Sequence, residues 1–354
     1  MPVGIFRAKP EPAFGHSVTA AAGGAGKPGP QYSYVVGAGV LRALSIPTIS
    51  RARDLIVSMV SGLDLRAYVL EWDGERYERS YVPGESWFTR PNPKTTRNFF
   101  MAAITQDLIM HGRAFAYVMS RYSTGFPASF QHLPHDNIST PDQAGPEWFG
   151  PADEVLFNGV ELPTDNVVQF LSPVNGLLWQ GERAIDIAYR LDEAAKRFAS
   201  TEIAAGYLQQ LDPSEPMSGD ELSELASAWA DARRTKSVGA LNNAVEYREF
   251  KSNPSVLQLT EGRQYAAREL ARVANDPFWL VGVETGGMTY QNVQEARKDL
   301  YQFGAKPFID CIQETLSLDT ITARGKHVEL DVTAYLIENA MTEPDIAREV
   351  NPNA

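Results

Sequence analysis

His132 and His135, followed directly by Asp136, have the side chains and spacing that suit a metal ion. They stand in a proline-rich loop without a second pair of ligands, so no metal is expected there. Gly23 to Lys27 has the outline of a phosphate loop. Ala21 takes the place of that loop's first glycine, and Pro28 follows Lys27 where a hydroxyl should hold magnesium, which leaves a low-complexity stretch. His16, His111 and His327 lack any base-and-nucleophile context, and the carboxylates form no motif pair, so neither a catalytic centre nor a cofactor is expected. One enzymatic alternative stays open, a mixed α/β fold that uses the Gly286-Gly287 loop as a lid over a substrate.

That loop must be positioned by its flanks. Upstream, Ala267, Leu270, Ala271 and Ala274 recur at helical spacing, with Arg268 and Arg272 one turn apart on the other face. Pro277 lacks a backbone donor and biases Asp276 away from helical dihedrals, which predicts the end of the helix. Phe278, Trp279, Leu280 and Val281 follow as an apolar anchor. Gly282, Gly286 and Gly287 loosen the next segment, and Thr285, Thr289, Tyr290, Gln291 and Asn292 give it a polar tip. Asn292 and Glu295 have capping-box spacing, which predicts a second helix through Ala296, Leu300 and Phe303.

Other features stand in a fixed order upstream: Trp87-Phe88-Thr89-Arg90-Pro91-Asn92-Pro93, then Thr95-Thr96-Arg97, then Gly112-Arg113-Ala114-Phe115-Ala116-Tyr117, then Gln131-His132-Leu133-Pro134. In this order and spacing the chain from Ile46 to Leu318 resembles the portal proteins of tailed double-stranded-DNA bacteriophages, of the long-tailed siphophage type. It departs from them at Asp276-Pro277-Phe278-Trp279, where members often carry a small residue and a double proline, and at Gly112-Arg113, where Gly-Asn is common.

The resemblance implies an α+β portal fold assembled as a cyclic ring. A flexible arm (1–45) would precede a wing (46–179), a first stem helix (180–206), a small α/β clip (207–255) and a second stem helix (256–276). The anchor, tunnel loop and following helix (277–303) would lead back to wing and crown (304–354). It further implies a ring of about twelve subunits at the portal vertex of the virion, assembled in the bacterial host cytoplasm. Double-stranded DNA would pass through it without sequence specificity at packaging and ejection, facing Thr285, Gly286, Gly287, Met288, Thr289, Tyr290, Gln291 and Asn292. The clip would dock the terminase large subunit, which supplies ATP hydrolysis, and later the head–tail adaptor. Asp220, Glu224, Asp231, Arg233, Arg234 and Lys236 are its partner-surface candidates, and major capsid and scaffold proteins are the remaining partners.

Composition agrees with this class. The 354 residues are 44% hydrophobic, enough for real cores rather than disorder. The net charge of -12 opposes tight gripping of nucleic acid, because cationic side chains supply most of that affinity. A channel through which DNA slides needs walls that do not hold it. Cys311 is the chain's single cysteine, which excludes an internal disulfide and suits a reducing compartment. No apolar stretch approaches the roughly 20 residues of a membrane span, and no export signal opens the chain, so no membrane partner is expected.

Along the chain, Pro10 to Val40 is rich in Gly, Ala and Pro and is expected to be a mobile arm. Thr48 is expected to cap a helix that buries Ala52, Leu55, Ile56 and Met59 and stops at Gly62. Leu63 to Glu71 and Glu75 to Val82 predict a hairpin around the two-residue signal Asp73-Gly74. A helix over Thr96 to His111, with Phe99, Phe100, Ala103, Ile104 and Leu108 on its apolar face, should close at Gly112. Strands are expected at Ala114 to Ser120, Glu154 to Phe157 and Val167 to Leu171. Ala184, Ala188, Leu191, Ala195 and Phe198 mark a long amphipathic helix over Glu182 to Glu202. Ser218 and Glu221 form a capping box, and Val238 to Leu241 with Val245 to Phe250 read as strands around Asn242-Asn243. Pro307 to Leu318 predicts a helix, Val328 to Val332 a strand, and Tyr335 to Val350 a broken helix.

Overall fold

The computed structural model describes residues 37–143, 150–200, 206–210, 218–235, 245–249, 258–277, 279–282 and 293–336. The chain forms two compact units, one from residues 1–185 with 270–354, the other from residues 186–269.

The first unit begins with α1 (Ala38–Leu44), a helix inside the stretch expected to belong to the arm. Val40 and Ala43, one turn apart, are buried there, a pattern too short to stand out from its Gly- and Ala-rich surroundings. Helix α2 (Pro47–Gly62) starts one residue ahead of the expected Thr48 cap, with Ile46 at the N-cap and Pro47 in the first turn, where the fixed φ of proline is already helical. It stops at Gly62 as expected and buries Ile49, Ala52, Ile56, Met59 and Val60.

Strands β1 (Asp64–Trp72) and β2 (Tyr77–Val82) form the expected hairpin, but four residues rather than two connect them. Asp73 Oδ1 accepts the amides of Glu75 at 2.7 Å and Arg76 at 2.8 Å, so the Asp side chain itself builds the turn. Helix α3 (Arg97–His111) matches its expected bounds. Thr96 Oγ1 accepts from the Phe99 amide at the N-terminus, and Gly112, at φ 76°, closes the C-terminus in the left-handed region that favours glycine. Phe99 is not on the core face, being 62% exposed; Met101 and Thr105 are buried instead.

Strands β3 (Arg113–Arg121), β4 (Pro127–Leu133) and β5 (Val167–Leu171) form one antiparallel sheet in the order β4-β3-β5. The central strand is buried on both faces: Ala114, Ala116 and Val118 turn to the main core, whereas Phe115 and Tyr117 turn to a second cluster with Leu133, Val155, Phe157 and Leu162. The strand expected over Glu154 to Phe157 is only the pair Leu156–Phe157, bonded to Ile138–Ser139 and Val160–Glu161. Strand β4 was not expected. The Pro91-Asn92-Pro93 segment lies against it: Asn92 Nδ2 donates to the Phe130 carbonyl, the Phe130 amide donates to the Pro91 carbonyl, and Asn92 Oδ1 accepts from the Lys94 amide.

Helix α4 (Glu182–Ser200) leaves the first unit after Ile185. In the second unit, β6 (Gly206–Gln210) pairs antiparallel with β7 (Val245–Glu249), with Tyr247 opposite Leu208. Between them runs α5 (Gly219–Thr235), whose capping box is formed as the sequence implies. The Ser218 amide donates to Glu221 Oε2 at 2.7 Å, and the Glu221 amide donates back to Ser218 Oγ at 3.3 Å. The expected strand over Val238 to Leu241 lies outside the described residues.

Helix α6 (Leu259–Val273) returns the chain to the first unit. There α7 (Val293–Asp299), a π turn over Leu300–Ala305 and α8 (Lys306–Leu316) follow one another, ahead of β8 (Lys326–Asp331). Strand β8 pairs antiparallel with β1, Leu65 opposite Leu330, and completes a sheet in the order β8-β1-β2. The main core gathers Ile56 and Val60, Ile104 and Leu108, Phe130, Phe170, Ile309, Ile312 and Leu330. Each such side chain contributes roughly 1.5–3 kcal/mol by leaving water. A helical turn at Thr333–Leu336 ends the described chain, so the expected break near Pro344 lies beyond it.

Candidate functional site

Within the second unit, α4 and α6 lie against each other. Gly262 presents its Cα to Leu191, where an added Cβ would sit at ordinary contact distance of 3.5 Å, and Arg263 Nε donates to Asp192 Oδ1 at 2.8 Å. Ala188 of α4 and Ala266 of α6 are buried. The two helices expected to be stems thus touch through Leu191 and Gly262 and through the Asp192–Arg263 ion pair.

Helix α6 ends by a device that the proline alone did not reveal. Asn275 adopts φ 55°, the Asp276 amide donates to the Ala271 carbonyl at 3.0 Å, and the Asn275 amide donates to the Arg272 carbonyl at 3.1 Å. These paired bonds around a left-handed residue are a Schellman ending, and Pro277 only follows it. The apolar anchor then forms. Leu280 packs on the main core, and Val281 is buried with Ala52 and Ala271. Gly282 turns the chain at φ 82°. The residues expected to form a tunnel loop, Thr285 to Asn292, lie outside the described residues, as does Phe278.

The chain returns at α7, and the π turn brings it back to the end of α6. Asn275 Nδ2 donates to the Phe303 carbonyl at 2.5 Å. Asp276 is buried at 5% exposure, both of its carboxylate oxygens have no hydrogen-bond partner among the described residues, and Gly304 is so near that an added Cβ would stand 2.9 Å from Oδ1. Burial pushes the Asp276 carboxyl up to about 7, against a smaller opposing pull from Arg51. No sequence motif marked this group.

Of the clip candidates, Asp220, Glu224 and Asp231 are exposed on α5. Arg233 and Arg234 belong to the same helix, their side chains outside the described residues, and Lys236 lies outside them altogether.

The histidine spacing is reorganised by the fold. His132 points to Asp107, Nε2 to Oδ2 at 2.8 Å, and not toward Asp136. His111 takes its place, so that His111, His135 and Asp136 each offer a ligand atom within 4.8 Å of the others. The two imidazoles are stacked, with ring centroids 3.7 Å apart and planes inclined by 11°, so their in-plane lone pairs run parallel rather than converging on one ion. Arg113 Nε donates to His135 Nε2 at 3.2 Å and Nη1 to Thr140 Oγ1, which engages the ring nitrogen and places a cation beside it. Asp136 Oδ2 accepts the Gly37 amide at 2.6 Å. Burial lowers the pKa of His111, and burial together with His111 and Arg113 takes that of His135 well below the usual imidazole value. The arrangement is a polar latch between the start of α1 and the end of α3.

Among the described residues no helix is long and apolar enough to cross a membrane. Cys311 is buried on α8, and its thiol donates to the Leu171 carbonyl at 3.1 Å.

Comparison with known proteins places this architecture. The chain resembles a crystal structure of an HK97-family phage portal protein from Corynebacterium diphtheriae, with a TM-score of 0.65 and 25% identity over 84% of this chain and 96% of that one. It shares its fold with a chain in the neck of a native gene transfer agent particle computed with C12 symmetry, at a TM-score of 0.58 and 16% identity over 93% and 90% of the two chains. An uncharacterized protein of Rickettsia felis is 34% identical over 77 residues, and one of Rickettsia bellii 31% identical over 103. These matches span only 20% and 26% of the two curated relatives. The family model for phage portal proteins matches residues 47–350, from the first residue of α2 onward. The fold is the portal fold, and the chain belongs to the phage portal protein family.

Proposed function

We propose that the chain is the repeating subunit of a portal vertex, a ring through which double-stranded DNA enters the capsid at packaging and leaves at ejection. The observation that carries this reading is the family match over residues 47–350. The likeness over nearly the full length of an HK97-family portal protein supports it. In this reading α4 and α6 are the stem helices, residues 207–255 with α5 form the clip, and residues 285–292 border the channel. The ring is a dodecamer, in keeping with the twelvefold symmetry applied to the gene transfer agent neck. The charged face of α5 docks the terminase large subunit and then the head–tail adaptor, while capsid and scaffold proteins surround the ring. Assembly takes place in the host cytoplasm and the mature ring stays in the virion. Catalysis is left to the motor.

The test is assembly. Mass photometry of the purified chain under conditions that favour assembly, together with imaging of procapsids, is expected to show a closed ring with a central hole. Monomers or two-fold dimers alone would overturn the reading.

A further inference from the structure

We propose that Asp276 and the π turn Leu300–Ala305 form a proton-operated clasp, which fastens together the two chain ends flanking residues 283–292 while the Asp276 carboxyl is neutral and loosens when it ionises. The geometry carries the proposal. Asp276 follows the left-handed residue that ends α6, so its position is set by the Schellman bonds to Ala271 and Arg272. The facing wall is the π turn, in which Gly304 supplies a bare Cα beside Oδ1, with Leu300 of the same turn and Ile56 of α2 packed against Gly304 as hydrocarbon. Asn275 adds a polar tie across the junction, to the Phe303 carbonyl. A π turn leaves a helix locally under-bonded and commonly marks a functional position.

Among the described residues neither carboxylate oxygen has a hydrogen-bond partner, which is tolerable for a neutral acid and costly for a buried anion. Among the described residues, two titratable groups are electrostatically linked to Asp276, Arg51 and Tyr335. Arg51 on α2 favours the anion; Tyr335, in the turn after β8, is itself raised by burial and faces Arg297 of α7 with the guanidinium 5.7 Å from the ring centroid. With a folded-state pKa raised to about 7, the folded chain binds a proton that the unfolded chain releases near pH 4. The stabilisation is therefore present below pH 4 and is lost as pH rises through 7. This window coincides with physiological pH, and the clasp does not depend on the channel reading.

Hydrogen exchange of the full chain at pH 6 and pH 8, corrected for the intrinsic pH dependence of exchange, tests it. Protection of peptides spanning 270–282 and 297–306 is expected to fall by about tenfold at pH 8 in the wild type, and to be equal at the two pH values in Asp276→Asn. An unchanged wild type, or the same fall in the variant, would overturn the proposal. Should Asp276→Asn not fold, infrared difference spectra of the wild type decide: loss of a buried protonated-carboxyl band between pH 5 and 9 supports the clasp, and the lack of any such band overturns it.

Discussion

Asn92 and Phe130 are joined side chain to backbone: Asn92 Nδ2 donates to the Phe130 carbonyl at 2.8 Å, while the Phe130 amide is taken, also at 2.8 Å, by the carbonyl of Pro91 next door. The Pro91-Asn92-Pro93 motif thus acts as an added partner for the outer edge of β4. The prolines cannot donate, so the asparagine amide supplies the missing donor. Asn92→Ala leaves the Phe130 carbonyl and the Lys94 amide without their partner and is expected to cost about 1–3 kcal/mol. Urea denaturation of the purified chain measures it.

Gly176 permits a close crossing. A Cβ at this position would stand 2.3 Å from the His111 carbonyl carbon, a backbone atom that cannot swing aside. Gly176→Ala is expected to destabilise by about 2 kcal/mol or more. Gly62→Ala, with open space around it at the end of α2, is expected to be neutral or to stabilise by about 0.5 kcal/mol. Parallel thermal melts of the two variants would show the contrast.

The His111–His135 pair makes folding sensitive to acid. Both folded-state pKa values are depressed below the unfolded value, so the unfolded chain takes up protons that the folded chain refuses. Their contribution is present above about pH 6.5 and is lost as pH falls below it. Asp276 works with the opposite sign between about pH 4 and 7. Comparison within one series separates them: denaturation midpoints from pH 7.5 to 5 should fall less steeply in His135→Gln than in the wild type.

Cys311 should be inert while the chain is folded. Its thiol is buried, bonded to the Leu171 carbonyl and pushed up to about 12, which removes the reactive thiolate at neutral pH. Alkylation monitored by intact mass is expected to follow unfolding by denaturant and not to precede it.

Free duplex DNA should bind the assembled chain weakly. A net charge of -12 offers few cations to displace condensed counterions. Fluorescence anisotropy across a salt series is expected to show no sequence preference and a shallow slope, far from the value of about -0.9 per neutralised phosphate of a DNA-gripping protein. Tight, steeply salt-dependent binding would mean that folding concentrates a basic surface.

Elements with both a periodic face and a chemical stop were legible in the sequence. Helix α3 has Thr96 at one end and Gly112 at the other; α5 has its capping box; α8 buries Phe308, Ile309, Ile312 and Leu316 at helical spacing. Strand β4 escaped because only Pro127, Phe130 and Leu133 are buried along it, a spacing that imitates a helix where register shifts interrupt the alternation opposite β3. Strand β6 escaped because its partner β7 lies beyond a whole helix. The site was less legible. Asp276 is a residue type that ordinarily signals a surface, and it is buried beside Gly304, a residue far along the chain. His111 was separated from His135 by two strands, so the spacing drew His132 into a group where it does not belong.

The π turn also bears on how length is tolerated in this region. It holds one residue more than an α-helical path of the same rise, the footprint of a single inserted codon absorbed without breaking the helix. Removing one residue between 300 and 305 would turn the π turn into regular α-helix and leave the faces of α7 and α8 in their present register, whereas the same deletion within α8 would rotate one part of the helix about the other by about 100°. Relatives that lack the extra position should therefore show a one-residue gap here, with their hydrophobic stripe running unbroken through it.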